Sequence, residues 1–75
     1  MSEHYRTWLN NVAQQWGYTI AYEATSTGPQ HRPQWTSKVY LNNIENGRGS
    51  GGSRGSAKEQ AAKSALIALG FIRQS

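Results

Sequence analysis

A helix whose inward stripe is built mostly of alanine has few places to go. Residues 57–69, AKEQAAKSALIAL, set Ala57, Ala61, Ala62, Ala65, Leu66 and Leu69 along one face, and Gly70 follows as a stop. Side chains that short let a helix lie close to a sheet, which points to a layer of strands beneath it. Directly before this helix, residues 47–58 read GRGSGGSRGSAK, with five glycines, three serines and three basic residues. The helix is expected to start at Ser53 or at Ser56, since Ser56-Ala57-Lys58-Glu59 is itself a capping box.

The strands the helix needs lie upstream. YTIAYEA (18–24) alternates Tyr18, Ile20 and Tyr22 against Thr19, Ala21 and Glu23. TSTGPQHRPQ (25–34) reads as a loop. WTSKVYL (35–41) is a second strand, with Trp35, Val39 and Leu41 on one face and Lys38 and Tyr40 on the other. Asn42-Asn43 suits a two-residue hairpin turn, because asparagine tolerates positive φ. A short third strand, roughly 44–49, is expected to fade into the glycine-rich segment.

A first helix precedes the strands. In residues 2–16 apolar groups fall at Tyr5, Trp8, Leu9, Val12, Ala13 and Trp16, one helical stripe. Ser2 is the expected N-cap and Gly17 the expected stop, and all three tryptophans are expected in the core. The opposite face carries His4, Thr7, Asn10, Asn11 and Gln14, polar but nearly uncharged. The order is α-β-β-β-α, an α+β fold with three antiparallel strands and both helices on one face.

At 75 residues this is a single domain, residues 1–75 with a core of about 4–70. Eight Lys/Arg oppose four glutamates with no aspartate, and the net charge of +4 favours an anionic partner. Without cysteine there is no disulfide and no thiolate metal site. No apolar run approaches the roughly 20 residues of a membrane span and no leader opens the chain, so an intracellular protein, cytoplasmic or nuclear, is expected without membrane contact. Two histidines on separate elements and scattered glutamates form no catalytic dyad, so no enzyme, cofactor, metal or small-molecule substrate is expected.

The glycine-rich segment admits several readings. GRGSGG (47–52) matches the dinucleotide pattern, but the parallel βαβ unit and later acidic residue are missing. The phosphate-loop pattern fails for want of Gly-Lys-Ser/Thr. Gly52-Ser53-Arg54-Gly55 matches the G-x-x-G of the KH fold, although that loop joins two helices. The remaining reading needs only a helix start, whose free N–H groups and partial positive charge attract anions. Arg54 and Lys58, four apart, project from one face of that turn. A flexible loop before a solvated helix end is the bland alternative.

Over about residues 4–70 the chain resembles the double-stranded-RNA-binding domain family. Ser53 and Arg54 take the serine and first lysine of the family's last motif, and Ala57-Lys58 its closing Ala-Lys. Gly28-Pro29-Gln30-His31 matches its Gly-Pro-x-His loop, Trp35 its usual phenylalanine, and Leu9-Asn10-Asn11 the Leu-Gln-Glu of its first helix. Gly55 departs from the pattern, standing where the second lysine belongs.

The resemblance implies binding on one face of an A-form duplex, across about 16 base pairs. His4, Thr7, Asn10 and Asn11 would then meet one minor groove, where hydroxyls call for neutral donors and acceptors. Pro29, Gln30 and His31 would enter the next minor groove, while Arg54, Gly55 and Lys58 bridge the phosphates between. Recognition by shape with little sequence preference is implied, with micromolar affinity and the moderate salt dependence of about two to four phosphate contacts. The implied partner is double-stranded RNA, with a protein partner or a catalytic domain of a parent chain left open. The alternative is a degenerate domain of the same fold that serves as a protein-interaction or dimerisation module.

Overall fold

A computed structural model describes residues 4–73. The elements follow the expected order: α1 (Tyr5–Trp16), β1 (Ile20–Thr27), β2 (Gln34–Leu41), β3 (Ile44–Gly51) and α2 (Arg54–Ala68). The strands form one antiparallel sheet in the order β1-β2-β3. Both helices pack on one face of the sheet and enclose Leu9, Val12, Ala13, Val39, Leu41, Ala61, Ala62, Ala65 and Leu66.

Helix α1 begins at Tyr5, and the proposed cap Ser2 lies outside the described residues. Gly17 ends it as expected, in the left-handed region at φ 72°. Its N–H donates to Gln14 O at 3.2 Å and that of Tyr18 to Ala13 O at 2.8 Å, closing the last carbonyls. Leu9, Val12 and Ala13 are buried, but Trp8 and Trp16 are not in the core: they are 40% and 44% exposed. The stripe is wider than its contact with α2. The two indoles flank that contact and pack against Phe71, with ring centroids 6.3 and 5.5 Å away. Trp35 is half-buried.

Strand β1 starts two residues later than its alternation suggests, and Tyr18 meets Trp16 edge to face, with ring centroids 5.5 Å apart, instead of joining the sheet. Strand β1 also runs on to Thr27, because Thr25, Ser26 and Thr27 pair with Thr36, Trp35 and Gln34. The expected loop of 25–34 shrinks to 28–33. Gly28 turns the chain at φ 90°, and Arg32 N–H donates to Pro29 O at 3.0 Å. The β2–β3 hairpin turns on Asn42 and Asn43 at φ 51° and 68°, the primed turn that strand twist favours.

The largest departure from expectation concerns the glycines. Strand β3 does not fade at residue 49; it continues to Gly51, paired with Trp35, and only Gly52 and Ser53 link it to α2. The reason lies in the helix overhead. A Cβ at Gly47 or Gly49 would stand inside 3.0 Å of backbone atoms of Ala61 or its neighbours. Every second residue of a strand advances about 6.6 Å, and every fourth residue of a helix about 6 Å. Gly47, Gly49 and Gly51 therefore run in step with Ala65, Ala61 and Ala57, two rows of small residues in contact. The glycines that resembled a loose phosphate loop let a helix rest on a strand.

Candidate nucleic-acid interface

Helix α2 starts at one end of the sheet. Ser53 is its N-cap: Ser56 N–H donates to Ser53 Oγ at 3.1 Å. That settles the choice between the two serines and places Arg54, Gly55 and Ser56 in the first turn. The N–H groups of Arg54 and Gly55 precede the helix ladder, so the positive end of the helix dipole faces outward here.

Helix α1 lies beside α2 with matching ends together. Arg6 near its start pairs with Glu59 of α2, while Trp16 at its finish meets Phe71. The first turns of the two helices thus border one groove. His4, Thr7 and Asn10, each three residues on, line its α1 wall. Gly55 and Lys58 line its α2 wall, with Arg6, Glu59 and Tyr22 between. Five of the ten residues expected to bind RNA therefore share this groove.

The other five lie outside it. Asn11 is exposed on α1. Pro29, Gln30 and His31 are exposed on the turn between β1 and β2, at the sheet end where β3 finishes and α2 begins. Arg54 is exposed, and its guanidinium sits over the Trp35 ring, 5.0 Å from the centroid. Trp35 thereby holds the first cation of the helix against the end of the central strand.

Arg6, which the sequence reading passed over, and Glu59, which it read only as part of a capping box, organise the groove floor. Glu59 Oε1 accepts the Arg6 backbone N–H at 3.2 Å, and Oε2 accepts Arg6 Nε. Partial burial pushes the Glu59 carboxyl up, but the hydrogen bonds and charge of Arg6 outweigh it and the net displacement is downward. Burial raises the Tyr22 phenol to about 12, with Arg6 opposing and Glu59 adding. Arg6 and Glu59 are 53 residues apart, and no local pattern in the chain signals their pairing.

Among the described residues no group of three or more His, Cys, Asp or Glu could hold a metal ion. No helix among them is long and apolar enough to cross a membrane. The site offers neutral hydrogen-bonding groups beside cations, suited to ribose hydroxyls next to phosphates.

The family model described as double-stranded RNA binding motif matches residues 5–69. Ribonuclease 3 of Corynebacterium efficiens is 36% identical over 63 residues, covering 84% of this chain and 26% of that protein. The chain thus spans about a quarter of that relative's length. A structure of Arabidopsis HYL1, described for its implications in miRNA processing, superposes with a TM-score of 0.82 at 27% identity, covering 89% of this chain and 97% of that one. The first dsRBD of HYL1 gives a TM-score of 0.71 at 30% identity, covering 81% of this chain and 89% of that one.

Proposed function

The chain belongs to the double-stranded RNA binding motif family, and from that premise we propose that it reads an RNA duplex by shape, as a single domain of residues 1–75 with a core of about 4–70. His4, Thr7, Asn10 and Asn11 hydrogen-bond 2′-hydroxyls and base edges in one minor groove. Pro29, Gln30 and His31 reach a second minor groove, and Arg54, Gly55 and Lys58 hold the phosphates between them. The observation that carries this reading is the shared groove, where His4, Thr7 and Asn10 of one helix face Gly55 and Lys58 at the start of the other. An A-form duplex presents 2′-hydroxyls and phosphates side by side, and this groove sets neutral and cationic groups side by side to meet them.

The domain is proposed as a binding module with no chemistry of its own, and similarity to a ribonuclease suggests a catalytic parent chain as one setting for it. A second reading, docking of a protein partner, is favoured by the aromatic patch of Trp8, Trp16, Tyr18 and Phe71, each at least 40% exposed. Trp16, Tyr18 and Phe71 gather at the far ends of the two helices, and Trp8, nearer the start of α1, meets them through Phe71.

The test is titration with duplex RNA of about 20 base pairs, duplex DNA and single-stranded RNA. Micromolar binding of duplex RNA alone is expected. Equal competition by single-stranded RNA or duplex DNA overturns recognition by shape.

A further inference from the structure

Gly55 poses a question that the fold does not answer. The glycines of β3 are demanded by a helix lying on them, but Gly55 is not. A Cβ built there meets nothing closer than Arg6 Nη2, at 3.8 Å, and its φ is not in the left-handed region. A side chain would fit, yet glycine is a poor helix former in a first turn. What stands over the open position is a guanidinium from the other helix.

We infer that Arg6 of α1 supplies across the groove the phosphate-binding cation that Gly55 omits from α2. This rests on the duplex-RNA reading above. Glu59 takes the Arg6 backbone N–H and Nε, which fixes the side chain and leaves the Nη edge directed toward Gly55. A guanidinium carries five N–H donors, so one carboxylate does not exhaust it. The Arg6 side chain is 41% exposed, and Arg6 and Lys58 border the same groove. A phosphate entering there meets Lys58 from α2, the Nη group from α1 and the free N–H groups of the helix start. The space over Gly55 is thus occupied from the other helix, so the glycine and the arginine belong to one arrangement.

The experiment compares the salt dependence of duplex-RNA affinity in the wild type and in the double variant Arg6→Gln/Glu59→Gln. The double variant keeps the net charge of +4, because one cation and one anion are removed together. If Arg6 neutralises a phosphate, the slope of log affinity against log salt falls by about one unit, and adding Gly55→Lys in the same background restores it. An unchanged slope overturns the inference. Where the double variant does not fold, the wild-type chain decides by NMR. On adding a duplex of about 20 base pairs, the Arg6 Nε–H resonance is expected to move while that of Arg48, ion-paired with Glu45 on β3, stays. An unmoved Arg6 signal, or equal movement of Arg48, overturns the inference. Loss of slope in Lys58→Ala but not in the double variant removes this inference alone, whereas no binding of duplex RNA removes it together with the reading it rests on.

Discussion

Gly49 in β3 lies so close beneath Ala61 in α2 that one methyl group between them would collide with the helix backbone. Backbone atoms cannot rotate away as a flexible side chain can. Gly49→Ala is therefore expected to cost about 2–3 kcal/mol, near the top of the usual range for overpacking. Gly52→Ala is the matched control. Nothing lies within 4 Å of its Cβ position, so it is expected to be neutral or to stabilise by about 0.4–1 kcal/mol. Urea unfolding of the two variants, followed by circular dichroism, checks the contrast, and equal stabilities would contradict the close approach.

This contact also marks the limit of what the chain reveals on its own. Helix α2 was legible because Ala57, Ala61 and Ala65 repeat at helical spacing behind a serine cap, both local signals. Asn42-Asn43 announced its turn for the same reason. Strand β3 was not fully legible, since Gly47, Gly49 and Gly51 look like a loop until the helix above them is known. Periodicity located the apolar face of α1 but not its contact width, so Trp8 and Trp16 were placed too deep. On the site side, i, i+3 spacing predicted the line of His4, Thr7 and Asn10. Arg6 and Glu59 carried no such cue, because nothing in either segment refers to the other.

Ser37 is fully buried between Ala24 and Gly49, its register partners, and its Oγ meets no hydrogen-bond partner among the described residues. A buried hydroxyl left unpaired loses its hydration without compensation. Ser37→Ala removes the polar atom and leaves nearly the same shape, so a gain of about 1 kcal/mol is expected. A thermal melt showing clear destabilisation would mean that Oγ has a partner after all.

The groove floor predicts opposite responses to acid and alkali. Tyr22 has its pKa raised from 10.0 to about 12, so the folded state holds this proton more tightly than the unfolded chain. The associated stability is complete below pH 10 and lost as pH rises through about 12. Tyr22→Phe should flatten that alkaline decline relative to the wild type. Glu59 is lowered from 4.5, so its contribution is present above that value and disappears as pH falls through the folded pKa. Glu59→Gln should soften the acid limb and, because the Glu59 charge also helps to raise Tyr22, should move the alkaline decline slightly lower in pH. Stability measured by denaturant across both limbs tests the pair, and an unchanged alkaline limb in Tyr22→Phe, or an unchanged acid limb in Glu59→Gln, would refute the assignment.

Arg54 and Lys58 share a helix turn but not a setting, and this separates their variants. Lys58 is half-buried at the groove wall, whereas Arg54 is exposed and braced on Trp35 at 5.0 Å. Each alanine substitution is expected to weaken duplex-RNA binding by about 1 kcal/mol or more, roughly fivefold, and to lower the salt slope by about one unit. Arg54→Ala should also cost about 0.5–1 kcal/mol of folding stability through the lost stacking on Trp35, a loss that Lys58→Ala does not share. Arg54→Lys keeps the charge but not the flat guanidinium that lies on the indole, so it should retain most of the salt slope while recovering less of the stability. Affinity at several salt concentrations together with a thermal melt for each variant resolves these effects. If the Arg54→Ala/Lys58→Ala double variant bound duplex RNA like the wild type, the phosphate contacts assigned to the start of α2 would be wrong.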